Sequence, residues 1–523
     1  MPVDSATFRT NYQRSQWIFD LFAHVFDFLD GRFFPPDQGV PYDALDREEK
    51  EVHRLKLVEL IRNQDGLIPD EVRRYLDLPG NDGDLESTAC YLRLYCVLRA
   101  IDASAADVNY MAAFVTAFPG RWTNVRERID KKRSLHRNAP GCVLLRPHSF
   151  EKSGRDWFLA TKSNGKWGEL PTRGIDLQDY FQNLLRVQET GGCRIELHIL
   201  PAVQDVALPS GELRIAVVPL IQSLTVAADE GHLLPGPLRL VKVSGPASRF
   251  GIHVSPAADP AHMCDELCAR AEAALRHLAE WGAHIVLFPE MVVPDPVLTR
   301  LQQVLYDLAD NKKPRPRLLL AGSFGRSPHG HAPQPPYNEA VVLNGDGVEL
   351  WRQKKLQPYE MKEHEQKNFG LHSLLNSDSC MEDITYQPRV VELRDSKLNR
   401  LRIVTLICED ATRPPALTAA RSHEANLILV PVMAGPLNDG CGFTTNLDPL
   451  QNEYDALYVI ANSAGLARNA WKNSKSAGHP PLGAIGLPLA KADTHKPHVL
   501  LTEISPVPGI ADLEVLCYQL PES

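Results

Sequence analysis

The segment His284-Ile285-Val286-Leu287-Phe288-Pro289-Glu290 reads as a short buried strand that stops on a carboxylate. Four apolar residues in a row need cover on both faces, as inside a parallel sheet. Pro289 cannot donate to a ladder and ends the run. Just upstream, Leu267, Ala271, Ala274, Leu275 and Leu278 share one face of a helix. That helix closes on Trp281-Gly282, where glycine suits a left-handed stop. A helix feeding a buried strand is the repeating unit of an α/β domain.

The same texture continues in both directions. LRIAVVPLI (213–221), LLLAGSF (318–324), NLILVPV (426–432) and LYVIANS (457–463) are buried-strand candidates. AVVLNGDGVELW (340–351) reads as two strands joined by a turn from Asn344 to Gly347. LRIVTLI (401–407) is a strand that runs straight into Cys408. These segments assign 212–523 to one α/β domain.

The first part of the chain differs. Trp17, Ile18, Leu21, Phe22, Val25, Phe26 and Leu29 recur at helical spacing, a strongly apolar face suited to core packing. Further helices are expected near 46–62, 69–77, 84–102 and 105–117, with Pro35-Pro36 and Pro79 to Gly83 as breakers. Residues 1–138 therefore read as a mostly helical region. Short apolar runs at 142–147, 157–162 and 195–200 suggest strands, with a helix near 177–189, so 139–211 reads as a small α+β or connecting segment.

Bulk properties narrow the function. A chain of 523 residues with 44% hydrophobic and 23% charged residues has material for at least two folded units. The net charge of -9 argues against nucleic acid as the partner. No run of roughly 18 apolar residues occurs, and MPVDSATFRTNYQRSQW lacks the apolar core of a secretory signal. A cytoplasmic chain with no membrane partner is the expectation. The ten cysteines are scattered, and Cys264 and Cys268, four apart on a helix, have no further ligands nearby in sequence. Neither a metal nor an organic cofactor is expected.

Three reactive residues stand at or near strand ends: Glu290, Cys408, and Lys355 in WRQKKLQPYE (351–360). Strand ends are where a sheet fixes functional groups. Singly, each has an ordinary explanation: a small core thiol, a loop glutamate, a solvated lysine. Together they form a set suited to acyl transfer. A carboxylate takes the proton from an attacking thiol, and an ammonium stabilises the oxyanion.

In order and local context, these residues resemble the nitrilase superfamily. Trp281-Gly282-Ala283-His284 leads to Phe288-Pro289-Glu290. Tyr337-Asn338-Glu339-Ala340 leads through Gly345 and Gly347 to Lys354-Lys355-Leu356-Gln357-Pro358. Ile407-Cys408-Glu409-Asp410, Glu424-Ala425-Asn426, Val430-Pro431 and Ile460 to Gly465 follow in family order. The resemblance implies an α-β-β-α sandwich in 212–523, with Glu290 as general base and acid, Lys355 as oxyanion-stabilising cation and Cys408 as nucleophile. Lys354 is the alternative for the lysine. The Glu409 N–H would complete the oxyanion hole, although its side chain could simply pair with Arg413. A second glutamate is expected after the lysine, at Glu363 or else Glu360. The implied reaction is hydrolysis of a non-peptide C–N bond in a small amide, carbamoyl compound or nitrile, by a homo-oligomer. The alternative is a nitrilase-like sensing or effector module of a bacterial multi-component system, anti-phage defence among them, whose N-terminal region binds a protein partner.

Overall fold

The computed structural model describes most of 4–32 and of 47–113, three short strands between 142 and 199, and most of 206–520; the longest stretches outside the described residues are 33–46, 114–141, 146–183, 255–263, 327–336 and 488–497. The chain divides into two compact units, one holding 1–150 and the other most of 190–523.

The smaller unit is helical, with helices Ser5–Arg14, Ile18–Leu29, Leu57–Asn63, Asp70–Leu76 and Thr88–Ala113. The apolar helix Ile18–Leu29 is buried around its circumference, not on one face alone, with only Asp27 partly exposed. Its Phe28 stacks on Phe8 at 4.3 Å between ring centroids. Trp17, read as part of the same stripe, lies outside the described residues. The two helices expected at 84–102 and 105–117 are a single helix, because Ala103-Ser104-Ala105 contains no breaker. Strands Cys142–Leu145 and Leu184–Val187 pair antiparallel, so the helix expected near 177–189 is a strand where it is described. The strand expected at 157–162 lies outside the described residues.

The larger unit is built on two seven-stranded sheets. The first runs, in spatial order, Glu349–Lys354, Tyr337–Asn344, Leu318–Arg326, Ile285–Leu287, Leu213–Val217, Glu514–Leu520 and Ser505–Pro506. The second runs His498–Leu501, Gly483–Gly486, Leu457–Asn462, Leu427–Val432, Arg402–Thr405, Arg389–Arg394 and Arg194–Ile199. In each, three consecutive strands at the centre are parallel. The strand Arg194–Ile199 pairs in parallel with Arg389–Arg394, which places it in this unit rather than in a connecting segment reaching to 211.

Strand alternation sorts the core. Ile215, Leu287, Leu320 and Val342 point one way and share a cluster with Ile403, Leu429 and Val459 of the second sheet. Ala216, Val286, Leu319 and Val341 point the other way, against the helices Asp265–Trp281 and Asp295–Asp310. Helices Pro414–Ser422 and Gly442–Tyr454 contribute Ala416, Leu417, Leu447 and Leu450 on the side of the second sheet. The layers are therefore α-β-β-α, as the pattern of fully apolar strands requires. A third, six-stranded sheet includes Arg249–Val254, Glu360–Lys362 and Ser379–Glu382.

Candidate active site

Glu290 sits three residues past its strand, in a turn fixed from the neighbouring strand. Leu318–Arg326 carries an irregularity between Leu320 and Ser323. Gly322 adopts φ +69°, and a Cβ there would lie 2.2 Å from the Pro289 carbonyl oxygen, so only glycine fits. Beyond this bulge, the Ser323 N–H donates to Pro289 O at 3.2 Å and Ser323 Oγ accepts the Met291 N–H at 3.1 Å. Met291 itself is left-handed at φ +60°. The turn also reaches the second sheet: the Met433 N–H donates to Glu290 Oε2 at 3.1 Å.

Cys408 opens a short 3-10 turn after the strand Arg402–Thr405, with φ +49°. A non-glycine residue in this region is uncommon and sharpens the strand-to-helix corner, lifting the thiol out of the sheet. Lys355 directly follows the strand Glu349–Lys354, and its N–H donates to Asn338 O at 2.7 Å. Successive strand residues point to opposite faces. Lys355 is accordingly 1% exposed within the site, while Lys354 stands over the Tyr337 ring at 3.5 Å.

Lys355 Nζ lies 2.8 Å from Glu290 Oε1 and 2.5 Å from Glu382 Oε2. The second carboxylate at the ammonium is thus Glu382, not Glu360 or Glu363. Met361 lines the cleft, so its strand neighbour Glu360 faces solvent, and Glu363 starts a helix and pairs with Lys367 at 2.6 Å. Glu409 pairs with Arg413 at 2.5 Å. Two residues that the sequence reading gave no role also converge here. Asn338 Nδ2 donates to Glu290 Oε1 and Glu382 Oε1, each at 2.8 Å. Asp410 accepts the N–H groups of Leu356 and Gln357.

The electrostatics follow from burial. Burial pushes the Glu290 carboxyl above its ordinary value; Lys355 opposes this and Glu382 adds to it. Burial works against the Lys355 ammonium, but Glu290 and Glu382 outweigh it and hold the lysine charged. Burial and the Glu290 charge push the Cys408 thiol well above the ordinary range, against Lys355 and a hydrogen bond from the Met433 N–H. A thiol on the same cleft as Glu290 completes the set: a neutral nucleophile, a base to take its proton and a fixed cation. Around them lies a cleft whose remaining walls are Phe250, Met291, Tyr359, Met361, Met433 and Leu466. Among the described residues, no group of three or more His, Cys, Asp or Glu is arranged to hold a metal, and no helix is long and apolar enough to cross a membrane.

Comparison with solved structures finds Saccharomyces cerevisiae Nit3, a member of branch 10 of the nitrilase superfamily, at 12% identity and TM-score 0.34, covering 60% of this chain and 90% of that one. An amidase from Nesterenkonia sp. aligns at 18% identity and TM-score 0.34, covering 61% of this chain and 94% of that one. Among curated proteins, none matches. The N-terminal region has no family match. Residues 253–449, which contain Glu290, Lys355, Glu382 and Cys408, match the family model described as carbon-nitrogen hydrolase.

Proposed function

We propose that this protein is a thiol hydrolase of non-peptide carbon–nitrogen bonds, acting on a small amide, carbamoyl compound or nitrile. The observation that carries the reading is one buried carboxylate shared by the other two groups. Glu290 touches the Lys355 ammonium at 2.8 Å and lines the same cleft as the Cys408 thiol. A structural ion pair has no need of a thiol, and a core cysteine has no need of a base.

With an amide, the Cys408 sulfur attacks the carbonyl carbon while Glu290 takes its proton. The oxyanion forms beside the Lys355 ammonium, assisted by the Glu409 backbone N–H. Collapse expels the amine or ammonia, which carries away the proton from Glu290, and leaves a thioester on Cys408. Water then attacks the thioester with Glu290 again as base, and the acid departs as the thiol is restored. A nitrile would pass through a thioimidate by the same proton transfers. Glu382 holds Lys355 as a second carboxylate beside Glu290, and the ammonium cannot turn from the reacting atoms without leaving a carboxylate unpaired.

The test is a panel of amides, carbamoyl compounds and nitriles, followed by release of ammonia or amine. Turnover of at least one class by the wild type, abolished in a folded Cys408→Ala variant, is the expected result. Turnover retained by that variant overturns the assignment.

A further inference from the structure

Asn338 belongs to a strand whose same-face neighbours, Ala340 and Val342, are plain core residues. An apolar side chain would serve the strand as well. Instead the position holds an amide, 1% exposed, whose single nitrogen donates to two carboxylates at once, Glu290 Oε1 and Glu382 Oε1. Its side-chain oxygen is buried with no hydrogen-bond partner. Such an orphan is a cost that folded proteins usually avoid. Turning the amide over would not remove it, because the oxygen would then face two carboxylates. The same residue's backbone oxygen receives the Lys355 N–H at 2.7 Å.

We propose that Asn338 is a positioning residue that spaces the Glu290 and Glu382 carboxylates around the Lys355 ammonium and so keeps Glu290 free to take the Cys408 proton. Two carboxylates on one ammonium repel each other, and the pair relieves the repulsion by binding a proton. A proton on Glu290 would remove the base. Asn338 offers the pair a second point of attachment, which the ionised form of Glu290 accepts more strongly than the neutral acid. The charged and titratable groups that face Glu290 are Lys355, Glu382 and Cys408, with Asp410 behind them.

This rests on the reading of Glu290 as the base for Cys408, and the test separates the two. Iodoacetamide forms an S–CH2 bond at Cys408 and releases iodide, and the thiol proton goes to Glu290. The rate is followed at Cys408 by peptide mass spectrometry from pH 4.5 to 9. In the wild type the rate should rise as Glu290 loses its proton, and Glu290→Gln should erase that rise. If Glu290→Gln leaves the profile unchanged, the hydrolase reading itself fails. Asn338→Leu should move the rise upward by about one pH unit, a roughly tenfold loss of rate on its acid side. Asn338→Thr, which keeps one donor, should fall between. A purely structural role would lower the rate at every pH without moving the rise. A folded Asn338→Leu variant with the rise at its wild-type position overturns the inference. If Asn338→Leu does not fold, the same criterion applies to Asn338→Thr.

Discussion

Asp410 Oδ2 accepts the Leu356 N–H at 3.0 Å, and this bond ties the turn that carries the thiol to the strand end that carries the ammonium. Asp410 lies two residues after Cys408, and Leu356 one residue after Lys355. The Gln357 N–H adds a second bond at 3.3 Å. The nucleophile and the cation come from different sheets, so their separation depends on contacts such as this one.

The tie carries a pH-dependent cost. Burial pushes the Asp410 carboxyl up to about 7, against the two N–H groups and Lys355. The folded chain therefore holds this proton more tightly than the unfolded chain does. The contribution to stability is greatest below the ordinary Asp range, falls as pH rises, and above about 7 the full penalty is present. Asp410→Asn does not titrate and can still accept both N–H groups. Its melting temperature relative to wild type should rise from pH 5 to pH 8, by an amount equivalent to roughly 2–3 kcal/mol at about 1.4 kcal/mol per unit. Thermal unfolding across that range checks it, and a difference that stays flat with pH would mean that Asp410 is not the buried titrating group.

Removing Lys355 should destabilise the fold as well as stop turnover. Lys355→Met leaves Glu290 and Glu382 buried around an apolar tip. Breaking a buried pair in this way costs about 3–5 kcal/mol. Adding Glu382→Gln should recover part of that loss, because one unpaired carboxylate is then gone. Urea unfolding of the two single variants and the double variant measures the coupling. Simple additivity would indicate that the two side chains are independent.

Glu382→Gln alone should lower kcat by about 10²–10³-fold, the range for losing a group that holds charge at the reacting atoms. Glu360→Gln and Glu363→Gln should stay within about twofold of wild type, since Glu360 is exposed and Glu363, half-buried, has only a surface ion pair. Steady-state kinetics on one substrate decides between them. A large loss in Glu363→Gln with none in Glu382→Gln would reverse the assignment.

That reversal of glutamates marks where the sequence stops being informative. Glu290 and Cys408 are legible because each follows an apolar run too short and too apolar to be anything but a buried strand. The choice of Lys355 over Lys354 rests in the sequence on the Lys-Leu-x-Pro form of the resemblance, and the structure places Lys355 inside the site and Lys354 over the Tyr337 ring. Glu382 is hidden because two short helices, Glu363–Asn368 and His372–Leu375, separate it from the lysine, and proximity in the chain favours the wrong carboxylates. The signal that could have found it is local: in Ser379-Cys380-Met381-Glu382, alternation puts Glu382 on the same buried side as Cys380. Asn338 and Asp410 stand inside motifs that carry the resemblance, yet their roles were not legible, since an amide in a strand and an acid in a turn are ordinary until their partners are known. The bulge at Gly322 was equally silent, because its reason is the Pro289 carbonyl in the turn that follows the neighbouring strand.

The walls of the cleft predict which acyl groups enter. Phe250, Met291, Met361, Met433 and Leu466 offer apolar surface, and three of the seven methionines in the chain are among them. Unbranched thioethers fill irregular space and adapt to different apolar shapes. The Tyr359 hydroxyl faces elsewhere, donating to Glu365 at 2.6 Å. Lys355 is already held by two carboxylates, so a substrate carboxylate would have to compete for it, and a substrate ammonium would displace it. Amides of small uncharged acids should therefore exceed amides of amino acids or dicarboxylic acids by at least about tenfold in kcat/KM, the discrimination that roughly 1.4 kcal/mol of unpaired charge supplies. Met433→Ala should relax the preference toward larger acyl groups by enlarging the wall nearest Glu290, with a rise in KM for the smallest substrates. Paired kcat/KM values for butyramide, benzamide, glutamine and β-alaninamide in wild type and Met433→Ala provide the measurement. Equal or better turnover of the charged amides by the wild type would show that other groups complete the substrate site.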